Sequence, residues 1–146
     1  MHRYSRLFSV IFIVLVSAVA QARQLAVVVD RANNIGAVTA KDLAKILKSG
    51  GKWPDGRGIT LVIQDPDGPD MGQVCQRLGI SLADVKAALS AHKASFVVVK
   101  ADDQLVKMVS GTPGAVGFVD VYSITGSVNV LKVDGKLPLE PGYLLH

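Results

Sequence analysis

The amino-acid sequence predicts an α/β fold, an open and mostly parallel sheet with helices on both faces. Three observations carry that expectation. Apolar, largely β-branched runs such as LAVVVD, ITLVI and FVVV recur without polar interruption, the pattern of strands covered on both sides. Segments with apolar residues at helical spacing alternate with them. The connections are short and rich in glycine, proline, asparagine and aspartate, and strands alternating with helices through short loops favour parallel pairing by helical crossovers.

The first strand is expected over Gln24–Asp30, and Asn33, Asn34 and Gly36 then make a turn. Thr39 stands as the N-cap of a helix over Ala40–Ser49, in which Leu43, Ile46 and Leu47 share one face and Gly50-Gly51 ends the helix. The turn-rich stretch GKWPDGRG leads to a second strand, Ile59–Gln64, and Trp53, the only tryptophan, is expected to pin that turn to the domain. After the loop DPDGP, Asp70 is expected to cap a helix whose Met71, Val74, Cys75 and Leu78 form a core face. Ser81 caps the next, with Leu82, Val85, Ala88 and Leu89 inward and Asp84 in its first turn, where a negative charge suits the helix dipole. A third strand over Ser95–Lys100, a short helix opening at Asp102 or Asp103 and running through Met108, and strands over Ala115–Val119 and Ser127–Val133 complete the order, with Asp134-Gly135 as a turn.

Residues 1–22 read as an export signal: Arg3 and Arg6 give a basic start, Leu7–Ala20 is an apolar run, and Ala20-Gln21-Ala22 is a cleavage triplet. The run is shorter than the roughly 20 residues of a membrane span. The expected product is a periplasmic domain over residues 23–146, with no membrane span; a secreted extracellular product is the alternative. Leaving out residues 1–22 removes Arg3 and Arg6, so 14 basic residues face 12 acidic ones, a formal charge of +2 spread along the chain. Such a balance is no nucleic-acid footprint. Cys75 is the single cysteine, so an internal disulfide is impossible, and its place in a core pattern predicts an inert thiol.

Ligand sites of open α/β sheets lie at the carboxyl ends of the strands, where helix N-termini gather. That rule sorts the candidates. Ser110-Gly111-Thr112, suggestive of an oxyanion grip, follows a helix and so sits at its negative end; Gly111 is expected to take positive φ there and Pro113 to block continuation. The loop DPDGPDMG, 65–72, runs from a strand into a helix start and can aim the N–H groups of Met71 and Gly72 outward, which makes Gly68, Asp70, Met71 and Gly72 the candidate ligand-facing residues. Its composition opposes an anion, because Asp65, Asp67 and Asp70 stand there without lysine, arginine, serine or threonine. A calcium loop lacks its downstream glutamate. His92, beside Lys93 near a helix end, reads as solvated, and no nucleophile elbow or paired metal-ligand histidines occur. No enzyme, metal or cofactor is indicated; Lys48, Lys52 and Arg57 offer positive charge near the glycine-rich turn.

LAVVVDRANN followed by VTAKDLAKILKSGGKWPDGRGITLVIQ, then TPGAVGFV after a helix, then VNVLKVDGKLP, together resemble the phosphate-type substrate-binding proteins of ABC importers, in a short form of about one lobe. The resemblance implies one lobe of a type II periplasmic binding protein, and a function in binding phosphate or another small oxyanion for uptake, with a permease as partner. Where that family carries an Arg-containing loop and a Ser-Gly-Thr at a helix start, this chain reads QDPDGPDMG. The alternative is accordingly a degenerate lobe, an interaction module that meets another envelope protein such as a sensor or a channel and holds no ligand.

Overall fold

The computed structural model describes residues 23–146, and the expected export signal Met1–Ala22 lies outside them. Strand β1 (Leu25–Asp30) is buried along its whole length. Leu25, Val27 and Val29 enter one core, while Ala26 and Val28 enter a second on the opposite face, which explains why its sequence shows no polar alternation. The short strand β2 (Ala37–Val38) precedes helix α1 (Ala40–Ser49). This helix is held by a capping box: Asp42 N–H donates to Thr39 Oγ1 at 3.1 Å, and Thr39 N–H donates to the Asp42 carboxylate at 3.1 Å. Leu43, Ile46 and Leu47 are its buried face, as their spacing predicts.

Strand β3 (Thr60–Ile63), helices α2 (Pro69–Leu78) and α3 (Leu82–Ala91), strand β4 (Phe96–Val98), helix α4 (Asp102–Gly111) and strand β5 (Ala115–Asp120) follow in the predicted alternation. Ser81 caps α3 by accepting from Asp84 N–H at 3.1 Å. The strand expected over 127–133 is divided into β6 (Val128–Val130) and β7 (Lys132–Val133) at the buried Leu131, and β7 leaves the main sheet to pair with β2.

The main sheet has the order β4-β3-β5-β1-β6. β3 is parallel to both β4 and β5, whereas β1 is antiparallel to both β5 and β6. Four strands therefore share one direction and β1 alone runs against them. Residues of α1, α2 and α3 pack on one face and those of α4 on the other, so the sheet is covered on both sides. Reversal of β1 has a consequence for the site: its N-terminal end lies beside the carboxyl ends of β3 and β5, with Leu25 opposite Asp120.

Two local expectations are corrected. Gly111 is the last residue of α4, and the cap is Thr112 at φ −119; the glycine with positive φ is Gly114, at φ 82. Two residues, Thr112 and Pro113, separate them, and Ala115 N–H donates to the Thr112 carbonyl at 3.0 Å to close the turn into β5. Asp70 does not cap α2, since the N-cap is Gly68, with Pro69 as the first helical residue and no capping side chain.

Candidate functional site

At the carboxyl edge of the sheet the ends of several elements converge. Gln64 follows β3, Asp70 lies in the first turn of α2, Asp102 opens α4 after β4, and Asp120 closes β5. Arg23, brought to this edge by the reversed β1, stands among them. Its guanidinium pairs with Asp70 at 3.2 Å, Asp102 at 2.5 Å and Asp120 at 3.0 Å. Asp102 also accepts from Gln64 Nε2 at 2.5 Å and Ser123 Oγ at 2.8 Å. The Arg23 carbonyl in turn accepts from Gln73 Nε2 of α2 at 2.5 Å.

Burial opposes the charge on Arg23, but Asp70 and Asp102, the latter also by hydrogen bond, and then Asp120 outweigh it and raise its pKa. Asp70 is displaced upward: burial disfavours its ionised form, Arg23 partly offsets that, and Asp102 and Asp120 add repulsion. Three carboxylates to one guanidinium leave the cluster with two formal negative charges. An open groove of about 800 Å³ extends from it between α4 and the segment after β5, lined by Arg23, Asp102, Lys107, Ser123, Thr125 and Ser127 among others.

The sequence candidates sit on this edge with unequal prospects. Gly68 N–H donates to the Asp65 carbonyl at 2.9 Å, and Gly72 N–H donates to the Gly68 carbonyl at 3.3 Å. Gly72 is thereby committed inside the helix and does not aim its N–H outward. Met71 turns its side chain into the core and is 5% exposed. Asp70 faces Arg23. In the preceding loop, Asp67 N–H donates to the Asp65 side chain at 2.9 Å, and Asp67 pairs with Lys86 of α3.

The other candidates have structural roles. Trp53 is buried, and its indole N–H donates to the Gly114 carbonyl at 2.8 Å; Gly114 N–H donates to the buried Asp30 at 3.1 Å. Arg57 reaches Asp55 at 2.8 Å and Asp30 at 3.5 Å, so it staples the turn rather than facing a ligand. Lys48, Lys52 and His92 are exposed, away from the strand-end cluster. Cys75 is buried, and burial pushes its thiol pKa up. Among the described residues no group of three or more metal-ligating side chains is placed to hold an ion, and no helix is long and apolar enough to cross a membrane.

Comparison with solved structures places this geometry. A phosphate transport receptor from Vibrio cholerae superposes with a TM-score of 0.65 at 19% identity, over 80% of this chain and 48% of that one. The chain has the fold of about half a phosphate-type substrate-binding protein. A PstS protein from Borrelia burgdorferi gives 0.67 at 19% identity, over 84% of this chain and 54% of the other. A putative phosphate-binding protein from Clostridium perfringens, solved with bound phosphate, gives 0.66 at 16% identity, over 77% and 46%. The chain spans about half the length of these receptors, matching the architecture of a periplasmic binding protein lobe. No protein-family model matches the sequence, and no curated protein does.

Proposed function

We propose that this chain is an exported, periplasmic binding domain of the phosphate-receptor type, non-enzymatic, which serves ABC-type uptake of phosphate or another small oxyanion through the carboxyl edge of its sheet. The fold shared with phosphate receptors supports the reading. The start of α2, from Gly68 to Asp70, is the part of that edge that meets the solute.

Alone, the domain holds an oxyanion weakly. A helix N-terminus contributes about 0.3–1 kcal/mol toward an anion, at best about 2, whereas each unit-charge repulsion at 4 Å costs about 1 kcal/mol in water and about 4 at an effective dielectric of 20. With two uncompensated carboxylates at this edge, repulsion wins. Uptake of labelled phosphate at limiting concentration by cells with and without the chain tests the assignment: reduced uptake without it supports the role, and unchanged uptake refutes it. Intact mass of the exported product tests the processing, with a start near Arg23 expected and retention of Leu7–Ala20 contradicting a freely periplasmic form.

The saturated Arg23 favours a second reading. Its guanidinium is already paired with three aspartates, so the cation at the centre of the edge is engaged within the chain, as suits a lobe that meets an envelope sensor or channel without a solute. Normal phosphate uptake together with specific recovery of such a protein after crosslinking in cells would select it.

A further inference from the structure

The Arg23 cluster joins four separate pieces of the chain. The segment before β1 supplies the guanidinium, and the first turns of α2 and α4 and the last residue of β5 supply the carboxylates. Its backbone is tied as well, because Gln73 Nε2 donates both to the Arg23 carbonyl at 2.5 Å and to the Leu145 carbonyl at 3.3 Å. Next to it, Gln24 Oε1 accepts from Leu139 N–H at 3.1 Å. Arg23 also lines the strand-end groove. The segment thus closes over the edge where the sheet presents its helix starts, and it is held mainly by charge rather than by apolar burial, since Arg23 and Gln24 are only half-buried.

We propose that Arg23 is a pH-released clasp: at neutral pH its guanidinium ties the starts of α2 and α4 to the end of β5 and closes one end of the groove, and acidification frees it and opens that end. The groups facing it are Asp70 from α2, Asp102 from α4 and Asp120 from β5. Asp103 and Lys107 line the adjoining groove, and on the C-terminal segment the nearby titratable group is His146, whose ring contacts the Tyr143 carbonyl. The arms release unequally. Burial already disfavours the charge on Asp70 and raises its pKa, so the arm to α2 loosens as pH falls, whereas Asp102 also holds the hydrogen bonds of Gln64 and Ser123. The clasp is independent of which solute or partner uses the edge.

Exchange of the arginine Nε–H protons, followed by NMR on the full exported chain with labelled arginine, tests this directly. Arg23→Lys removes one resonance and so assigns it. Arg77, exposed and in no ion pair among the described residues, serves as the internal reference, because both respond equally to the intrinsic effect of pH. Local opening spans a wide range of free energies, and a triply paired guanidinium is expected to exchange at least ~10-fold more slowly than Arg77 at about pH 7. The ratio should fall toward unity on acidification, while the backbone amide spectrum stays that of the folded protein. Asp70→Asn should lower the neutral-pH ratio without abolishing it. A ratio near unity at pH 7, a ratio unmoved by acid, or a fall that occurs only with global unfolding would each overturn the clasp.

Discussion

Replacement of Gly114 by alanine should be among the most damaging single changes in this chain, and its size can be worked from the turn into β5. Gly114 has φ 82, a region that costs a side-chain-bearing residue about 1–3 kcal/mol. A Cβ built there falls 2.3 Å from the Gly58 carbonyl oxygen, so one backbone segment must move. Movement breaks the 2.8 Å bond from the buried Trp53 indole to the Gly114 carbonyl, and a buried donor left unpaired costs about 1–3 kcal/mol. Together these give a loss of about 2–6 kcal/mol, against a total stability of about 5–15 kcal/mol for a domain, or a fall in Tm of about 8–24 °C. Gly111→Ala is the control. It lies in helical conformation with nothing within 4 Å of the added carbon, so alanine should be neutral or stabilise by up to about 1 kcal/mol. Urea unfolding of the two variants beside the parent chain decides. A Gly114→Ala loss below 1 kcal/mol, or a Gly111→Ala loss equal to it, would refute the assignment of the turn glycine.

Asp70→Asn should leave stability at neutral pH unchanged or improved, because burial penalises the native charge more than Arg23 rewards it. The folded pKa is raised, so the contribution of Asp70 to stability is fully present below the unfolded value and is lost as pH rises through the folded one; urea midpoints across that range should show the acid-side advantage vanish in the variant. Cys75 should resist a thiol reagent in the native state and react only on unfolding, since burial both shields it and raises its pKa; rapid native labelling would contradict its core placement. Tyr143→Phe should cost about 1–2 kcal/mol, because the buried phenol donates to the Leu25 carbonyl at 2.7 Å; an unchanged unfolding midpoint would argue against that bond.

Much of the fold was legible because its signals are local. Thr39 and Asp42 stand at capping-box spacing, Leu43, Ile46 and Leu47 at helical spacing, and the apolar runs of β1 and β3 read as doubly covered strands. The direction of β1 was not legible, since a strand buried on both faces shows the same apolar run whichever way it points. That single ambiguity hid the principal charge cluster: with β1 taken as parallel, Arg23 belongs at the opposite edge from Asp70, Asp102 and Asp120. The only available hint was that all three aspartates fall at strand ends or in first helical turns, where a cation has to be found for them. Gly111 was expected to take positive φ because helix ends favour glycine, yet a helix can also carry glycine as its last residue when the cap that follows is extended, as Thr112 is. The break at Leu131 between β6 and β7 leaves no local mark either, because the strand changes sheets without a turn signal.

The central claim is that the strand edge of this receptor-like domain is acidic and on its own a poor oxyanion site. Calorimetric titration of a domain spanning residues 23–146 with phosphate, run beside sulfate, measures it most directly. The account predicts a dissociation constant of about 1 mM or weaker, corresponding to at most about 4 kcal/mol of binding free energy, with tighter binding gained in Asp70→Ser and Asp67→Ser. Micromolar binding by the unaltered domain would contradict it.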